Sequence, residues 1–360
     1  MKLLKYILDF LVVITLFFFN FFKIILNIKK INSVDVTVIQ NKGGFGYNFT
    51  TPDIMRNFYN KKKLFVWFFE PLRHNINIRH LFNFDFLILH LCLSVRINKK
   101  LFMFGSYEGN NSRISSNILI FLIKFLSKKY TKVYSENELY DQLNKQNISN
   151  QNLNEAWKDI YFRKVKKNNY KLKLQSDFLR DFNKLFKFKK NKKINLYLRN
   201  KGSRNITEFT RSGGDENTYH RTIKYLISKD YIILVTGDIK ISENLKKKYP
   251  NSIFDSNDFK NKDKVSIYFS CISDYSIVEP GGGFWFGIYK KKLLKINAFP
   301  YGITLPGNKI LFKNIYKKKN NLKMKKDWCL KNFKFKYQDS KYKITTNSSN
   351  QIYKFVKQYF

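Results

Sequence analysis

Residues 281–283 are three consecutive glycines, and their setting could hold a phosphate. They follow the apolar run 275–278, which reads as a strand closing on Glu279, and they precede 284–289, which reads as a helix. Glycine N–H groups can approach a phosphate closely, and a helix N-terminus adds about half a positive charge. The pattern predicts a diphosphate site. The alternative is a tight strand-to-helix turn without a ligand, for which one glycine would suffice.

Arg199 and His220 could bring positive charge to the same anion. Arg199 directly follows the strand-like run 194–198, so its guanidinium should project beyond the strand end and could pair with a phosphate through two hydrogen bonds. His220 lies near the start of a predicted helix and could donate to that anion. We predict both as catalytic residues, with a structural histidine as the alternative for His220.

Asp238 follows Gly237 just after another apolar run, residues 231–235. Its carboxylate could accept a hydrogen bond from a ribose or base hydroxyl, or it could cap the next helix. The chain contains no Asp-x-Asp sequence, so the carboxylate pair that clamps a metal ion beside a diphosphate is missing, and we predict no metal site.

Strand-like and helix-like runs alternate through the C-terminal half. We predict strands at 194–198, 231–235, 252–254, 275–278 and 293–296, and helices at 217–229, 241–249, 265–272, 284–289 and 351–360. Such alternation predicts an α/β fold with a parallel sheet and helices on both faces. Ligands of these sheets bind beyond the carboxyl ends of the strands, where Arg199 and the glycines are expected.

The N-terminal half opens in the same way. The strand-like run 34–39 leads to Gly43, Gly44 and Gly46 and then to a predicted helix at 52–59. Strand, glycine turn and helix begin a βαβ unit. The glycine loop could shape a second ligand site, or it could be a bare turn.

Residues 6–26 form a hydrophobic segment that is long enough to cross a bilayer. Asp9, Asn20 and Lys23 would each be costly in the hydrocarbon core of a bilayer. Three interpretations of the segment therefore stay open: a spanning anchor, an in-plane interfacial helix and a buried core helix. Lysines on its C-terminal side favour a cytoplasmic body by the positive-inside rule. We therefore expect the cytoplasmic face of the inner membrane.

The chain is strongly basic, with 68 Lys and Arg against 26 Asp and Glu, a net charge of +42. The lysines are spread along the sequence, which fits AT-rich codon usage and solvated faces. As a functional partner, an anionic membrane surface is favoured over nucleic acid, because no nucleic-acid-binding motif occurs. The three cysteines form no CxxC pair, which fits a reducing compartment.

Several sequence segments of the C-terminal half together resemble the C-terminal half of glycosyltransferases encoded in surface-polysaccharide clusters. This family is distantly similar to GDP-fucose-type transferases of the GT-B fold. The resemblance covers about 190–315. The matching positions are Arg199, Gly237, Asp238, Ser273, Asp274, Gly281, Gly282, Gly283 and Asn297. Glu279 departs from the family pattern, since relatives usually carry Gly-Thr-x-Ser-Gly there, and this places a carboxylate beside the expected diphosphate.

The resemblance implies two Rossmann-like domains facing each other across a cleft. It implies transfer of a hexosyl- or fucosyl-type sugar from a nucleoside-diphosphate sugar, without an obligatory metal or other cofactor, to a glycan or lipid-linked acceptor. We then divide the chain into a helix at 1–30, an acceptor domain at 31–134, a helical bridge at 135–192 and a donor domain at 193–360. Gly43, Gly44 and Gly46 become the acceptor loop.

Three residues of the N-terminal half are candidates for the general base: Asp53, Glu70 and His74. Two alternatives to the enzyme remain. One is a nucleic-acid-binding protein that exploits the positive charge. The other is a degenerate transferase kept as a membrane-bound scaffold, for which Glu279 is the only hint.

Overall fold

The computed structural model describes residues 2–40, 45–58, 62–69, 80–82, 87–92, 94–97, 100–103, 113–128, 131–145, 161, 163–165, 172–188, 190–199, 215–298, 309–325, 328 and 341–360. The chain divides into two compact units, Met1–Ile148 and Ser149–Phe360, here called the N-terminal and C-terminal units. The boundary falls inside the predicted helical bridge at 135–192, so that segment is divided between the two units.

The N-terminal unit is an α/β structure. Its elements are α1 (Lys2–Leu26), α2 (Ile28–Ile31), β1 (Val36–Gln40), α3 (Phe45–Phe58), β2 (Lys63–Phe69), β3 (Leu87–Cys92), β4 (Ser94–Ile97), β5 (Lys100–Met103), α4 (Arg113–Leu126), β6 (Lys132–Ser135) and α5 (Glu136–Lys145). Four parallel strands pair in the order β3-β2-β1-β6, and β4 pairs with β5 as a separate antiparallel ribbon. The strand–helix–strand start predicted from the sequence is present as β1, α3 and β2.

Helix α3 begins at Phe45 rather than at the predicted Pro52, which lies inside it. Proline is best tolerated in the first helical turn, which is why the sequence pointed to a start there. Burial of Phe49, Ile54 and Met55 stabilises the longer helix, since tertiary packing outweighs local propensity. Gly46 is therefore a helical residue in the first turn of α3, whereas Gly43 and Gly44 lie outside the described residues.

Helices α1 and α4 cover one face of the N-terminal sheet. Leu16 and Ile24 of α1 join Leu119 and Ile123 of α4 in a single buried cluster with apolar side chains of β1, β2 and β3. Asn20 of α1 is fully buried as well. Across the described part of the chain, no helix combines the length and the apolarity that crossing a membrane requires.

The C-terminal unit contains the predicted alternation of strands and helices. Its elements are α6 (Ser176–Leu185), β7 (Lys193–Leu198), a 3-10 turn (Glu216–Tyr219), α7 (His220–Ile227), β8 (Ile232–Gly237), α8 (Glu243–Lys248), β9 (Ile253–Asp255), a second 3-10 turn (Ser256–Asp258), α9 (Lys262–Ile272), β10 (Tyr275–Val278), α10 (Phe284–Gly287), β11 (Lys292–Ala298), β12 (Ile310–Phe312), β13 (Asn314–Lys317), β14 (Leu322–Lys323), β15 (Tyr342–Thr345) and α11 (Ser349–Lys357).

Six strands form one parallel sheet in the order β12-β11-β10-β7-β8-β9, and β13, β14 and β15 form a small antiparallel sheet. Counted from β7 as the first strand, the parallel sheet has the order 3-2-1-4-5-6. This is the doubly wound nucleotide-binding order. In this order β8 and β9 lie on one side of β7, and β10, β11 and β12 lie on the other side. The prediction of a parallel α/β sheet is confirmed.

One apolar core of this unit lies on the face of the sheet that α7 and α11 cover. Ile194, Leu196 and Leu198 of β7 are buried there together with apolar residues of α7 and α11. Side chains alternate between the faces of a strand, so Tyr197 lies on the opposite face. Arg199, two residues later, is expected on the same face as Tyr197.

Candidate functional site

The candidate site lies at the carboxyl ends of β7 and β10, where the strand order reverses. Neighbouring loops leave the sheet toward opposite faces at such a point, and this opens a crevice for ligands. Two hydrogen bonds fix the edge of this crevice. The Arg199 N–H donates to Glu279 Oε2 at 2.8 Å, and the Glu279 N–H donates to the Tyr197 carbonyl at 3.1 Å.

Glu279 is buried, with 1% of its surface exposed. Its Oε1 accepts hydrogen bonds from the Tyr219 hydroxyl at 2.5 Å and from Asn297 Nδ2 at 3.1 Å. Burial raises the pKa of Tyr219 well above its ordinary value, and the nearby Glu279 carboxylate raises it further, so the phenol stays a donor. A buried carboxylate is tolerated when protein donors surround it. Glu279, predicted to contact the ligand, therefore ties three segments of the unit together.

Asn297 extends this network from the end of β11. Its backbone φ is +54°, in the left-handed region, and its side chain is fully buried. Its Oδ1 accepts from the N–H of Asn347 at 2.8 Å and from Asn347 Nδ2 at 2.9 Å. Asparagine is among the residues that tolerate this conformation best, and here both ends of its amide are used. Asn297 is therefore a structural connector beneath the strand ends.

Gly281 and Gly283 pack closely on Tyr197. A Cβ atom on Gly283 would lie 2.3 Å from Tyr197 Cδ2, and one on Gly281 would lie 2.7 Å from the Tyr197 hydroxyl. The Gly283 N–H donates to that hydroxyl. Burial raises the pKa of Tyr197; Arg199 acts against this shift and Asp238 adds to it. The turn needs glycine because a side chain at either position would collide with the tyrosine.

Arg199 lies against the same turn. A Cβ on Gly281 would lie 3.1 Å from both Arg199 Cδ and Nη1, so the guanidinium group is adjacent to the glycine backbone. In the described part of the chain, the N–H groups of Gly281 and Gly282 donate to no other group. A guanidinium beside a glycine turn whose N–H groups donate to none of the described residues is a suitable arrangement for binding a phosphate oxygen.

Gly237 and Asp238 join this edge from β8. The φ of Gly237 is +99°, and a Cβ there would lie 2.1 Å from the Leu198 carbonyl oxygen, so only glycine fits. The Asp238 N–H donates to that carbonyl at 2.9 Å. The side chain of Asp238 is exposed, and its charge acts on the Tyr197 hydroxyl. Asp238 is thus placed next to the crevice with an available carboxylate.

We call the residues at this edge the switch-point cluster. It comprises Tyr197, Arg199, Tyr219, Gly237, Asp238, Glu279, Gly281, Gly282, Gly283 and Asn297. In this cluster the Arg199 guanidinium can bind an anion, and the Asp238 carboxylate can accept a hydrogen bond from a hydroxyl.

The helix after the glycines is shorter than the sequence predicted. It spans Phe284–Gly287 instead of 284–289. A helix dipole grows from aligned peptide units, so a single turn contributes little to anion binding. Positive charge at the switch-point cluster therefore comes mainly from Arg199.

His220 is the first residue of α7, but it turns toward another group. Its Nε2 is buried without a hydrogen-bond partner and lies 3.8 Å from Glu216 Oε2, while the neighbouring Tyr219 is the residue that contacts Glu279. The prediction that His220 donates to the same anion as Arg199 finds no support in these contacts.

Ser273 and Asp274 lie at the opposite edge of the sheet, and their prediction as ligand-binding residues needs correction. Asp274 Oδ2 accepts from the Lys193 N–H at 2.9 Å, and Ser273 Oγ donates to the Ser270 carbonyl at 3.1 Å. Both residues precede β10, and Lys193 begins β7. In a parallel sheet the starts of the strands share the edge away from the ligand crevice. At that edge Asp274 stabilises the start of β7, and Ser273 stabilises the end of α9.

No family model and no curated protein matches the chain. Among solved structures, the chain resembles glycosyltransferases. A family 9 glycosyl transferase from Veillonella parvula is 10% identical over 77% of this chain and 85% of that chain, with a TM-score of 0.46. E. coli heptosyltransferase WaaC, solved with ADP-2-deoxy-2-fluoro heptose, is 10% identical over 90% of this chain and 99% of that chain, with a TM-score of 0.39.

E. coli ADP-heptose LPS heptosyltransferase II is 8% identical over 90% of this chain and 98% of that chain, with a TM-score of 0.42. At TM-scores below 0.5, these similarities assign neither a site residue nor a substrate to this chain. The structures named here do not support the expected likeness to GDP-fucose-type transferases.

In the N-terminal unit, the base candidates are placed only in part. Asp53 is fully buried within α3 and forms an ion pair with Arg56, so its carboxylate is not exposed to solvent. Glu70 and His74 lie outside the described residues. The general base therefore has no assigned residue.

Sequence reasoning missed Tyr197, Tyr219 and Asn347. Tyr197 could have been found, because it lies two residues before Arg199 in a strand and so shares its face. Tyr219 and Asn347 carry no local signal. Their partners are 60 and 50 residues away in sequence, at Glu279 and Asn297.

Proposed function

We propose that this chain is a glycosyltransferase of the GT-B type that moves a sugar from a nucleoside-diphosphate sugar to a glycan or lipid-linked acceptor in surface-polysaccharide synthesis. The observation that carries the proposal is the position of Arg199 against Gly281, at the switch point of a 3-2-1-4-5-6 sheet, in a turn whose Gly281 and Gly282 N–H groups donate to none of the described residues. This is where doubly wound sheets bind nucleotides.

In the proposed reaction, the oxygen of the acceptor hydroxyl forms a bond to the anomeric carbon as the bond between that carbon and the diphosphate oxygen breaks, and the hydroxyl proton passes to a general base. Negative charge grows on the leaving diphosphate, and the Arg199 guanidinium with the two glycine amides stabilises it without rearrangement. Asp238 accepts a hydrogen bond from a ribose or base hydroxyl of the nucleotide. Gly43, Gly44 and Gly46 keep their predicted role at the acceptor. No other cofactor is required by this scheme.

Calorimetric titration of the full chain with ADP, GDP, UDP and CDP tests the proposal. We expect one of them to bind, and Arg199→Ala to weaken that binding by about 10- to 100-fold, the range for one charge-assisted contact. Arg180→Ala is the matched control, because Arg180 is an exposed arginine of α6 paired with Asp177. It should bind like the wild type.

The proposal fails if none of the four diphosphates binds. It also fails if Arg199→Ala, with an unchanged melting temperature, binds as tightly as Arg180→Ala. A positive result is extended by testing the sugar conjugates of the bound nucleotide for release of the free diphosphate in the presence of a membrane glycolipid extract.

A further inference from the structure

Exposed apolar side chains are concentrated on two helices of the N-terminal unit. Of the fourteen large hydrophobic side chains that are exposed in the described part of the chain, eleven belong to α1 or α4. Soluble proteins rarely leave apolar side chains clustered in this way unless the surface binds something.

Helix α1 has two different faces. Leu16, Asn20 and Ile24, spaced by four residues, are buried against the sheet. The opposite arc carries exposed apolar side chains, which are Ile7, Phe10, Leu11, Phe18, Phe19, Phe22, Ile25 and Leu26. Thr15 lies on that arc as well, and its hydroxyl donates to the Leu11 carbonyl at 2.8 Å, so it offers no free donor to solvent.

Helix α4 repeats this arrangement. Leu119 and Ile123 are buried, while Ile118, Phe121 and Phe125 are exposed, the two phenylalanines at 67% and 75%. Positions i, i+3 and i+7 lie on one side of a helix. The rings of Phe121 and Phe125 stack on each other, with centroids 6.2 Å apart, so they form one continuous apolar surface.

The two exposed faces point the same way. The buried faces of α1 and α4 belong to one cluster on one side of the sheet, and the two helices touch each other. Their outer faces therefore look away from the sheet together. We call this the α1/α4 surface.

The surroundings of the α1/α4 surface are basic. The segments 2–31 and 113–128 together contain eight Lys or Arg and one acidic residue, Asp9. Lys29 and Lys128 are exposed, and Lys124 is paired with Glu138 of α5 at 2.7 Å. Apolar helix faces flanked by lysines are typical of helices that lie in the interface of an anionic bilayer.

We propose that the α1/α4 surface docks on an anionic lipid bilayer, with both helices lying in the membrane plane and the sheet on the aqueous side. Charge complementarity selects the bilayer over a second copy of this chain, since two copies would bring like-charged surfaces together. Docking in the plane keeps Leu16, Asn20 and Ile24 in the core, whereas a spanning α1 would have to leave it. The α4 helix is thus a membrane contact that the hydrophobic N-terminal segment alone does not imply.

Flotation of the full chain with lipid vesicles tests this inference. We expect binding to phosphatidylcholine vesicles that contain phosphatidylglycerol, weaker binding to phosphatidylcholine alone, and release at high salt because ions screen the lysines. The double variant Phe121→Ser and Phe125→Ser should bind the anionic vesicles at least tenfold more weakly. Serine at these exposed sites leaves the core intact, and an unchanged melting temperature confirms this.

The matched control replaces Leu185 and Leu322, exposed apolar residues of the C-terminal unit, by serine. It should bind vesicles like the wild type. Equal binding by the Phe121/Phe125 variant would overturn docking through α4, as would equal binding to vesicles with and without phosphatidylglycerol. If the wild type is a dimer in light scattering and the variant a monomer, with no vesicle binding by either, the occupant is a second copy and the inference is wrong.

Discussion

The Tyr219 hydroxyl lies 2.5 Å from Glu279 Oε1, and this contact joins the start of α7 to the end of β10 beneath the switch-point cluster. Because Arg199 and Asn297 also donate to Glu279, one buried carboxylate holds three strand ends and one helix start together. The position of the Arg199 guanidinium therefore depends on a residue that itself need not touch the ligand.

Glu279→Gln tests this role. Glutamine keeps the shape but offers one acceptor oxygen instead of two, so its amide group would face either the Arg199 N–H or the Tyr219 hydroxyl. We expect the free energy of unfolding to fall by about 1–3 kcal/mol, the cost of a buried donor left unsatisfied. Urea unfolding measures it, with Glu243→Gln as a control on an exposed carboxylate that pairs with Lys246. Equal stability of the two variants would contradict the role of Glu279.

Gly283→Ala should destabilise the turn. Its Cβ would overlap the Tyr197 ring, and overpacking of this kind costs about 1–3 kcal/mol. In a double-mutant cycle with Tyr197→Leu, we expect the two effects to be less than additive, since leucine removes the colliding ring. Gly287→Ala is the comparison, because its Cβ meets the movable end of Leu293 and should cost less. Strict additivity in the cycle would show that the ring and the glycine do not constrain each other.

Lys295 should give a distinct pH dependence of stability. It is 8% exposed, its ammonium lies over the Phe284 ring, and burial lowers its pKa to about 8. An unfolded lysine titrates near 10.4, so between these values the unfolded state binds more protons and stability rises with pH. Below pH 8 Lys295 is charged in both the folded and the unfolded state, so folding bears the full cost of burying its ammonium group, roughly 3 kcal/mol for such a shift. Lys295→Met should therefore be more stable than the wild type at pH 7, and the difference should shrink toward pH 10.

Thermal melts between pH 6 and about 10 measure this effect. The matched control is Lys290→Met. Burial lowers the pKa of Lys290 to about 8 as well, but its Nζ donates to the carbonyls of Cys271 and Ser273, at 2.8 and 2.7 Å, so its loss should lower the melting temperature. Reduced stability of Lys295→Met at pH 7 would show that the Lys295 ammonium is stabilised by a partner.

Arg199→Lys separates charge from geometry at the proposed diphosphate site. Lysine keeps the positive charge but lacks the planar fork of guanidinium donors. Its dissociation constant for the bound nucleoside diphosphate should lie between those of the wild type and Arg199→Ala, about tenfold above the wild type. Added salt should weaken the wild type and Arg199→Lys more than Arg199→Ala. Equal salt dependence in all three proteins would argue against a contact between Arg199 and phosphate.

The local elements and the chemistry at their ends could be predicted from the residues alone. Alternating apolar runs indicated β7, β8 and β10, and the position of Arg199 and the glycines after two of them predicted that they share one edge. This works because strand and helix periodicities are local, and because the carboxyl ends of parallel strands meet at one edge. The hydrophobic N-terminal segment and its flanking lysines could also be recognised from the sequence. The sequence left open whether this segment spans a membrane, lies in the membrane plane or is a buried core helix.

The strand order, the partners of Glu279 and the placement of Ser273 and Asp274 at the far edge became known from the three-dimensional structure. The structure also shows that α1 keeps one face on the sheet while α4 continues its exposed apolar face. These features depend on contacts between residues far apart in sequence, such as Tyr219 with Glu279 and Leu16 with the α4 core. Side-chain packing and buried hydrogen bonds select such contacts, and no local pattern encodes them.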